Sequence, residues 1–418
     1  MSPQDAEVRR VGVIGAGTMG AGIATSCITH GLDVTLIDTQ LPALESGVRR
    51  IRATLDAAVK KGRLTTEAAV AAQALVAVAT DILALDAADV VIEAVFESLQ
   101  LKREVFRKLD ASCAPGTLLA TNTSTLDVDA IASVTARPQD VIGMHFFSPA
   151  NIMRLIEIVR APKTSAASVA KALALTERIG KIGVVVGNCF GFVGNRMLYA
   201  YGRENQLMLL EGASAQRIDA VLEDFGMAMG PNAVGDLAGL DVGYRARRER
   251  KDLPDDPRYF RVADLLVENG RLGQKSGRGM YCYAPDTRAR TPDPEVDALI
   301  GAEAARLNVA PRDISDSEVI ERCIYALINE GAAILSDGIA ASPQDIDLIW
   351  CNGYGFPRAR GGPMAYADTV GIAAVYDGIR RLAAEHGARY WTAATLVVEL
   401  GERNGSFAAW QAARIARS

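Results

Sequence analysis

The chain has few of the residues that build metal centres and disulfide frameworks. Its 418 residues include only three histidines and six cysteines, and the cysteines are scattered, with no C-x-x-C pair. Paired cysteines at short spacing are typical of zinc sites, and dense cysteines in small secreted domains are typical of disulfide frameworks. We therefore expect free thiols in a reducing compartment and no metal site.

The chain also lacks long apolar runs and dense basic segments. No apolar stretch approaches the roughly 20 residues that a membrane-spanning helix needs. The basic cluster Arg245 to Lys251 is interrupted by Glu249 and has no interleaved aromatic residues, and the net charge is −5, so we expect no nucleic-acid partner. The start of the chain shows no signal-peptide pattern, and its final RIARS is neither a lipidation motif nor a peroxisomal S-K-L signal. These features favour a cytoplasmic protein with no membrane association.

What the sequence does contain, from Val11 to about Val186, is an alternation of short β-branched runs with longer Ala-rich stretches. Such alternation is typical of β-α-β units around a parallel sheet, and it predicts an α/β domain over residues 1–187. The last two of these strands, Val141 to Phe147 and Arg154 to Val159, are too close in sequence for a helical crossover. We expect them to form an antiparallel hairpin at the edge of the sheet.

After Gly187 the strand signal ends, and amphipathic stretches such as RMLYAYGRENQLMLLEG predict a helical domain over residues 188–284. The segment from Ala284 to Pro294 is rich in Pro, Asp and Arg, which predicts an exposed linker. A second helical domain is predicted over residues 295–418.

The second helical domain resembles a copy of the first. Arg196 matches Arg322 at an offset of 126, Asp219 matches Asp347 at 128, and GPNAVGDLAG matches GPMAYADTVG at 132. Loop insertions in a duplicated domain produce an offset that grows in small steps. The alternative is a chance match of short helical words.

A glycine motif follows the first predicted strand. Gly15, Gly17 and Gly20 precede a predicted helix, and the next strand ends in Asp38. This order is that of a Rossmann dinucleotide site, in which the glycines allow a tight turn, close approach to a pyrophosphate and helix packing on the sheet. An acid at Asp38 accepts hydrogen bonds from a ribose and repels a 2′-phosphate, which favours NAD over NADP. The predicted cofactor-binding set is Gly15, Gly17, Thr18, Met19, Gly20 and Asp38; the alternative is a glycine-rich turn without a ligand.

One histidine and one glutamate stand out in GMHFFSPANIMRLIEIV, which is otherwise mostly apolar. His145 and Glu157 are twelve residues apart, and a hairpin folding near Asn151 would bring them opposite each other. A carboxylate on one ring nitrogen fixes the tautomer and leaves the other nitrogen to take a proton. The alternative is a buried histidine that satisfies a backbone carbonyl.

The motifs GVIGAGTMGAGIA, VIEAVFESLQLK, TNTSTL, HFFSPANIMRLIEIV and GFVGNR, in this order, resemble the L-3-hydroxyacyl-CoA dehydrogenases. The resemblance covers nearly the whole chain, and the duplicated tail is similar to the dehydrogenase half of the multifunctional fatty-acid oxidation enzymes. It implies a Rossmann domain followed by two repeated all-α domains like the C-terminal domain of 6-phosphogluconate dehydrogenase. It also implies NAD-dependent oxidation of an L-3-hydroxyacyl-CoA to the 3-ketoacyl-CoA.

The resemblance assigns roles to particular residues. It implies that His145 is the base that deprotonates the C3 hydroxyl and that Glu157 holds it, while Ser124 and Asn195 bind substrate oxygens. It places Glu97, Lys102 and Asn122 around the cofactor. Ser148, where the short relatives have asparagine, is assigned to the substrate with Lys60 and Lys61. Helix or turn capping is the alternative for Asn122, Ser124 and Asn195, and a solvated helix end is the alternative for Glu97, Lys102, Lys60 and Lys61.

Three functional hypotheses follow. The first is the acyl-CoA dehydrogenation, with a protein that is a monomer or homodimer and associates loosely with other β-oxidation enzymes. The second is a related NAD-dependent hydroxyacid dehydrogenase with a substrate that lacks CoA. The third is a nucleotide-binding scaffold without turnover, which has no chemical reason to carry His145, Glu157, Ser124 and Asn195 together.

Overall fold

The computed structural model describes residues 8–250, 252–285 and 289–417. Lys251, at the end of the basic cluster, and the middle of the predicted linker lie outside these ranges. The chain divides into two compact units: Met1–Asn195 with Asp337–Ala341, and Arg196–Ser336 with Ser342–Ser418. No helix of the described residues is long and apolar enough to cross a membrane.

The first unit is built on an eight-stranded sheet in the order β3-β2-β1-β4-β5-β6-β7-β8. Neighbouring strands are parallel except β6 and β7, which pair antiparallel. The strands are β1 (Arg10–Ile14), β2 (Asp33–Ile37), β3 (Val76–Ala79), β4 (Val90–Glu93), β5 (Leu118–Thr121), β6 (Val141–Phe146), β7 (Leu155–Arg160) and β8 (Ile182–Gly187). The predicted antiparallel hairpin is therefore confirmed, but its predicted position at the edge of the sheet is wrong, because β8 pairs parallel with β7 and forms that edge.

Six helices flank this sheet: α1 (Thr18–Ile28), α2 (Leu41–Lys60), α3 (Thr66–Ala74), α4 (Leu99–Ser112), α5 (Val128–Ala132) and α6 (Ala166–Arg178). The central strands β4, β5 and β6 are buried along their whole length, because helices cover both faces of a parallel sheet. Ser98 and Ser165 cap α4 and α6 by accepting a backbone N–H, which satisfies donors that a helix start leaves unpaired.

Two features of the sheet were not predicted. Strand β3 lies at one edge of the sheet, and its sequence VAVA continues an Ala-rich stretch that looks helical. At the other edge, Ala340 forms a bridge with Val186, and the Gly187 N–H donates to the Ile339 carbonyl at 2.7 Å. This segment, Asp337–Ala341, covers part of an edge strand that would otherwise present unpaired backbone groups.

The second unit is mostly helical. Its helices begin with α7 (Gly194–Leu210), α8 (Ala215–Phe225), α9 (Pro231–Ala238), α10 (Leu240–Glu249), α11 (Arg261–Glu268) and α12 (Pro294–Arg306). They continue with α13 (Asp316–Ser336), α14 (Pro343–Gly353), α15 (Pro363–Val370), α16 (Ile372–His386), α17 (Ala388–Trp391), α18 (Thr395–Glu402) and α19 (Phe407–Ile415). The unit thus agrees with the predicted helical class, and the boundaries of the two predicted helical domains stay a prediction.

The predicted linker is partly ordered structure. Strand β10 (Arg290–Pro292) pairs antiparallel with β9 (Tyr281–Tyr283), so the second half of the segment contains a short strand that was not predicted, whereas its role as an exposed linker stays a prediction. The physical reason is a set of ion pairs: Arg290 binds Glu223, and Arg271 binds Asp293, which also caps α12. These contacts hold a segment whose composition alone suggests a loop.

The helices recur at the offsets found in the sequence. Helix α14 begins and ends 128 residues after α8, and α15 begins and ends 132 residues after α9. In both copies an aspartate accepts two backbone N–H groups at the start of the next helix, Asp219 for α9 and Asp347 for α15. The duplicated residues therefore make duplicated contacts.

Two ion pairs join the copies reciprocally. Arg196 Nε lies 2.6 Å from Glu330, and Arg322 Nε lies 3.0 Å from Glu204. Each residue in one pair is 126 positions from its counterpart in the other pair. Such a reciprocal pattern is that of an isologous interface between two like subunits. Here the two like helical copies lie in one chain.

Candidate active site

The glycine loop between β1 and α1 has different requirements at each glycine. Gly15 has φ +99°, and a Cβ there would lie 2.6 Å from the Ala94 carbonyl oxygen. A Cβ on Gly20 would lie 1.8 Å from the Gly15 carbonyl oxygen, whereas a Cβ on Gly17 would meet nothing within 4 Å. The protein's own packing therefore excludes a side chain at Gly15 and Gly20, and open space at Gly17 leaves room for a ligand to approach the backbone.

The residues around this loop fit a dinucleotide. Helix α1 begins at Thr18 and Met19, and no side chain caps it, so its first N–H groups suit a phosphate. Asp38, at the end of β2, accepts the Ala16 N–H at 3.0 Å and the Gln40 N–H at 3.1 Å. These bonds fix the carboxylate beside the loop, and a carboxylate has further lone pairs for ribose hydroxyls.

The second part of the site lies on the β6–β7 hairpin. His145 and Glu157 are directly opposite in the register, and His145 Nδ1 lies 2.8 Å from Glu157 Oε2. Glu157 is fully buried and the His145 side chain is 9% exposed. The rings of Phe147 and Phe192 pack against the imidazole, with centroids 4.6 and 5.8 Å away. The pair is thus held in a largely apolar surrounding.

The other oxygen of Glu157 is occupied as well. Glu157 Oε1 accepts the backbone N–H groups of Val193 and Gly194 at 3.1 and 3.0 Å, at the start of α7. Backbone donors at a helix start favour the charged form of a carboxylate. Since Nδ1 faces this carboxylate, Nε2 is the ring nitrogen left for proton transfer.

Ser124 lies in the loop after β5 and is held from two sides. Its N–H and hydroxyl donate to Glu97 Oε1 at 2.8 and 3.2 Å, and its carbonyl accepts the Asn195 side-chain amide at 3.3 Å. Asn122, two residues earlier, accepts the Phe146 N–H on its side-chain oxygen at 2.8 Å. The structure therefore brings Ser124 and Asn195 together and ties Asn122 to the strand that carries His145.

Glu97 and Lys102 are held together by an ion pair. The ammonium of Lys102 is fully buried and lies 2.8 Å from Glu93 and 3.3 Å from Glu97. This burial rules out a solvated helix end for Lys102, whereas contact of Glu97 and Lys102 with the cofactor stays a prediction. Glu97 in turn accepts the Ser124 N–H, so Lys102 is linked to the Ser124 loop through Glu97.

The charge of Glu97 follows from these contacts. Burial opposes ionisation, but the attraction of Lys102 and the hydrogen bonds from Thr123 and Ser124 outweigh it and lower the pKa of Glu97. Glu97 therefore stays a carboxylate and keeps accepting the loop's donors. Glu93 also accepts the Thr121 hydroxyl at 2.7 Å. Its place in the site was not predicted, although a single acid at the end of the apolar strand VVIE could have indicated it.

The remaining predicted residues lie at the surface. Ser148 is exposed in the turn after β6, and Lys60 and Lys61 are exposed at the end of α2. Within the described part of the chain, neither lysine side chain has an ion pair. Their charges are thus open to a ligand phosphate, and the structure does not bring them to the His145–Glu157 pair.

Comparison with known proteins gives matches along most of the chain. Residues 10–189 match the NAD binding domain of 3-hydroxyacyl-CoA dehydrogenase, and residues 191–283 and 319–406 match its C-terminal domain. The chain is 46% identical over 385 residues to the peroxisomal bifunctional enzyme of Danio rerio. The matched region covers 89% of this chain and 53% of the relative. The chain thus spans about half the length of the curated relatives it matches.

Solved structures give the same picture. A 3-hydroxybutyryl-CoA dehydrogenase from Escherichia coli has a TM-score of 0.79 and 28% identity, covering 95% of this chain and 99% of that one. The dehydrogenase part of multifunctional enzyme 1 from C. elegans has a TM-score of 0.69 and 30% identity, covering 94% of this chain and 89% of that one.

Proposed function

Because the chain belongs to the 3-hydroxyacyl-CoA dehydrogenase family, we propose that it catalyses the reversible NAD-dependent oxidation of an L-3-hydroxyacyl-CoA to the 3-ketoacyl-CoA. The observation that carries the proposal is the buried pair of His145 Nδ1 and Glu157 Oε2, 2.8 Å apart on adjacent strands. A general base needs this arrangement of an imidazole with one nitrogen oriented and one nitrogen free.

The residues of the glycine loop would hold the cofactor. The N–H groups at the start of α1 suit its pyrophosphate, the open space at Gly17 admits it, and Asp38 suits its adenosine ribose. NAD, when bound, supplies the acceptor for the hydride that leaves C3 of the substrate.

His145 takes the proton of the C3 hydroxyl on Nε2 and becomes an imidazolium. Glu157 stabilises that charge at 2.8 Å, while the Val193 and Gly194 N–H groups hold its second oxygen. Those two donors fix the second oxygen in place, so Glu157 orients the imidazole and faces the charge that develops on it. In the reverse direction, the same imidazolium returns the proton to the alkoxide.

Ser124 and Asn195 are the proposed donors to substrate oxygens. Glu97 fixes the Ser124 N–H at 2.8 Å, and the Asn195 amide lies 3.3 Å from the Ser124 carbonyl, so the two side chains are held as neighbours. A hydroxyl and an amide N–H can stabilise an oxygen that gains negative charge during reaction. Ser148 is a further proposed contact, and Lys60 and Lys61 are proposed contacts of the CoA phosphates.

The assembly and location of the chain are also proposals. The reciprocal pairs of Arg196 with Glu330 and Arg322 with Glu204 join two like helical copies in one chain, which favours a monomer over a homodimer. Loose association with other β-oxidation enzymes and a cytoplasmic location also stay proposals. The curated relatives, of which this chain matches about half the length, are named as peroxisomal.

The test compares two substrates of the purified chain. We expect NADH formation with L-3-hydroxybutyryl-CoA and longer thioesters, and turnover lower by about 100-fold or more with free 3-hydroxybutyrate, since binding energy from the CoA part is lost. A preference for the free acid would support the hydroxyacid dehydrogenase instead. NAD binding by calorimetry without turnover on any thioester would support the scaffold.

A further inference from the structure

The turn that joins the two strands of the His145–Glu157 pair is held by a lysine outside the assigned site. Within the turn, residues 147–154, the Pro149 carbonyl accepts the N–H groups of Ile152 and Met153, both at 2.9 Å. The carbonyls of Ala150 and Met153 accept the ammonium of Lys181 at 2.7 and 2.6 Å. One side chain thus bridges two points of the turn.

The sheet places Lys181 beside this turn. Lys181 directly precedes β8, and the next N–H, that of Ile182, donates to the Arg154 carbonyl at 2.7 Å where the turn ends. From α1, the Ser26 hydroxyl also donates to the Ala150 carbonyl, at 3.1 Å. The turn is therefore fastened from the neighbouring strand and from the helix that starts at the glycine loop.

The Lys181 ammonium has no carboxylate partner within the described ranges, and the two carbonyls are its acceptors. Burial lowers the pKa of Lys181 to about 8, and the nearby Cys27 thiol acts in the other direction. Cys27 is fully buried on α1, and the His30 ring lies beside Gly180, the residue before Lys181. Burying an ammonium without a carboxylate partner costs free energy. The favourable contribution of Lys181 to the fold therefore comes from the two backbone carbonyls that it holds.

We propose that Lys181 is a positioning residue, which keeps the β6–β7 turn closed by binding the Ala150 and Met153 carbonyls and so keeps His145 opposite Glu157. Phe146 and Ile156 form the last pair before the turn, and His145 and Glu157 form the pair before that. A strand pair opens first at its ends, where few contacts hold it. The consequence for catalysis rests on the proposed function, whereas the fastening of the turn does not.

The test replaces Lys181 by methionine, which keeps the length of the side chain and removes its donors. The matched control is Lys163→Met, at an exposed lysine between β7 and α6. For Lys181→Met we expect hydrogen exchange in residues 146–156 to become about 10-fold faster and kcat to fall about 10-fold, because small displacements of a reacting group cost rate. NAD affinity and the exchange of β1 should stay unchanged, and Lys163→Met should match the wild type in all four measurements.

Lys181→Arg separates positioning from a merely structural role. The guanidinium can reach both carbonyls and stays protonated, so we expect near wild-type kcat at pH 7. In the oxidation direction, the wild type should lose kcat/KM as pH rises through about 8, because the ammonium loses its charge. That alkaline loss should be absent in Lys181→Arg.

Each result decides the proposal. Unchanged exchange in the turn of Lys181→Met, or an alkaline limb that persists in Lys181→Arg, would overturn it. If Lys181→Met does not fold, the Lys181→Arg profile decides alone. If the wild type shows no turnover on thioesters, the proposed function fails, and the exchange comparison still decides whether Lys181 holds the turn.

Discussion

The first helical copy begins with α7 and the second with α13, and the residues that brace their helices recur at fixed offsets. Ser214 and Ser342 cap α8 and α14, and Asp219 and Asp347 each accept two backbone N–H groups. However, Asn195 at the start of α7 corresponds to Glu321, which lies in the second turn of α13. The side chains that hold the backbone are duplicated, while the side chain proposed for substrate binding is present once.

The two reciprocal ion pairs also differ, in how deeply they are buried. Arg322 and Glu204 are fully buried, and Arg322 also binds Glu211 at 2.7 Å. Arg196 and Glu330 are 24% and 28% exposed. Equivalent positions in a duplicated fold can therefore contribute very differently to stability, and the comparison predicts which of the two ion pairs tolerates substitution.

The largest expected effect is a difference in the free energy of unfolding between variants of these two ion pairs. Arg322→Met leaves the buried carboxylate of Glu204 without one of its partners, and we expect it to lower the free energy of unfolding by about 3 kcal/mol. Arg196→Met, the counterpart at offset 126, should cost about 1 kcal/mol or less, because water screens its pair. Urea unfolding of both variants measures the difference, and equal losses would break the proposed asymmetry.

The next effect concerns activity. Asn195→Asp gives the first copy an acid, as at Glu321, and a carboxylate cannot donate to the Ser124 carbonyl. We expect kcat/KM for the thioester to fall about 100-fold, the typical cost of losing one donor to a reacting oxygen. Glu321→Gln, which removes a surface pair with Arg381, should change kcat/KM less than about two-fold. Similar losses in both variants would show that the second copy also serves the site.

The smallest effect is a pH dependence in the second copy. Burial raises the pKa of Asp347 to about 7, with the hydrogen bonds from Met364 and Ala365 acting against it. Since the folded pKa lies above the unfolded value of about 3.9, this carboxyl stabilises the fold most at low pH, and the contribution is lost as pH rises to about 7.

The variant Asp347→Asn does not titrate. The stability of the wild type relative to this variant should therefore fall by about 2 kcal/mol between pH 5.5 and 7.5. The exposed Asp377→Asn on α16 is the control and should show no such trend. Melting temperatures at the two pH values test this, and a relative stability that rises with pH would contradict it.

The sequence was sufficient for the parts of the molecule that depend on local pattern. The β-branched runs predicted seven of the eight strands, and the short gap between β6 and β7 predicted the hairpin that pairs His145 with Glu157. Strands β3, β9 and β10 were missed. Strand β3 continues an Ala-rich stretch, and β9 and β10 form a two-stranded sheet in which β10 depends on an ion pair with a residue far away in the chain.

Long-range polar contacts set the remaining features of the site. No local pattern reveals that the Lys102 ammonium lies between Glu93 and Glu97, or that Lys181 reaches the Ala150 and Met153 carbonyls. The use of Glu157 Oε1 by the Val193 and Gly194 N–H groups is likewise a contact across 36 and 37 residues. Such contacts need the packed fold, so they could not be predicted from spacing alone.

The proposed mechanism depends on His145 as the base that deprotonates the C3 hydroxyl of the thioester. The most direct measurement is the rate of NADH formation by His145→Gln at saturating NAD and L-3-hydroxybutyryl-CoA, beside NAD affinity from calorimetry. If His145 is the base, kcat falls by about 1,000-fold or more, within the range for loss of a general base, with NAD affinity and melting temperature unchanged. A variant that keeps more than about a tenth of the wild-type kcat, well above what loss of a base allows, would contradict the claim.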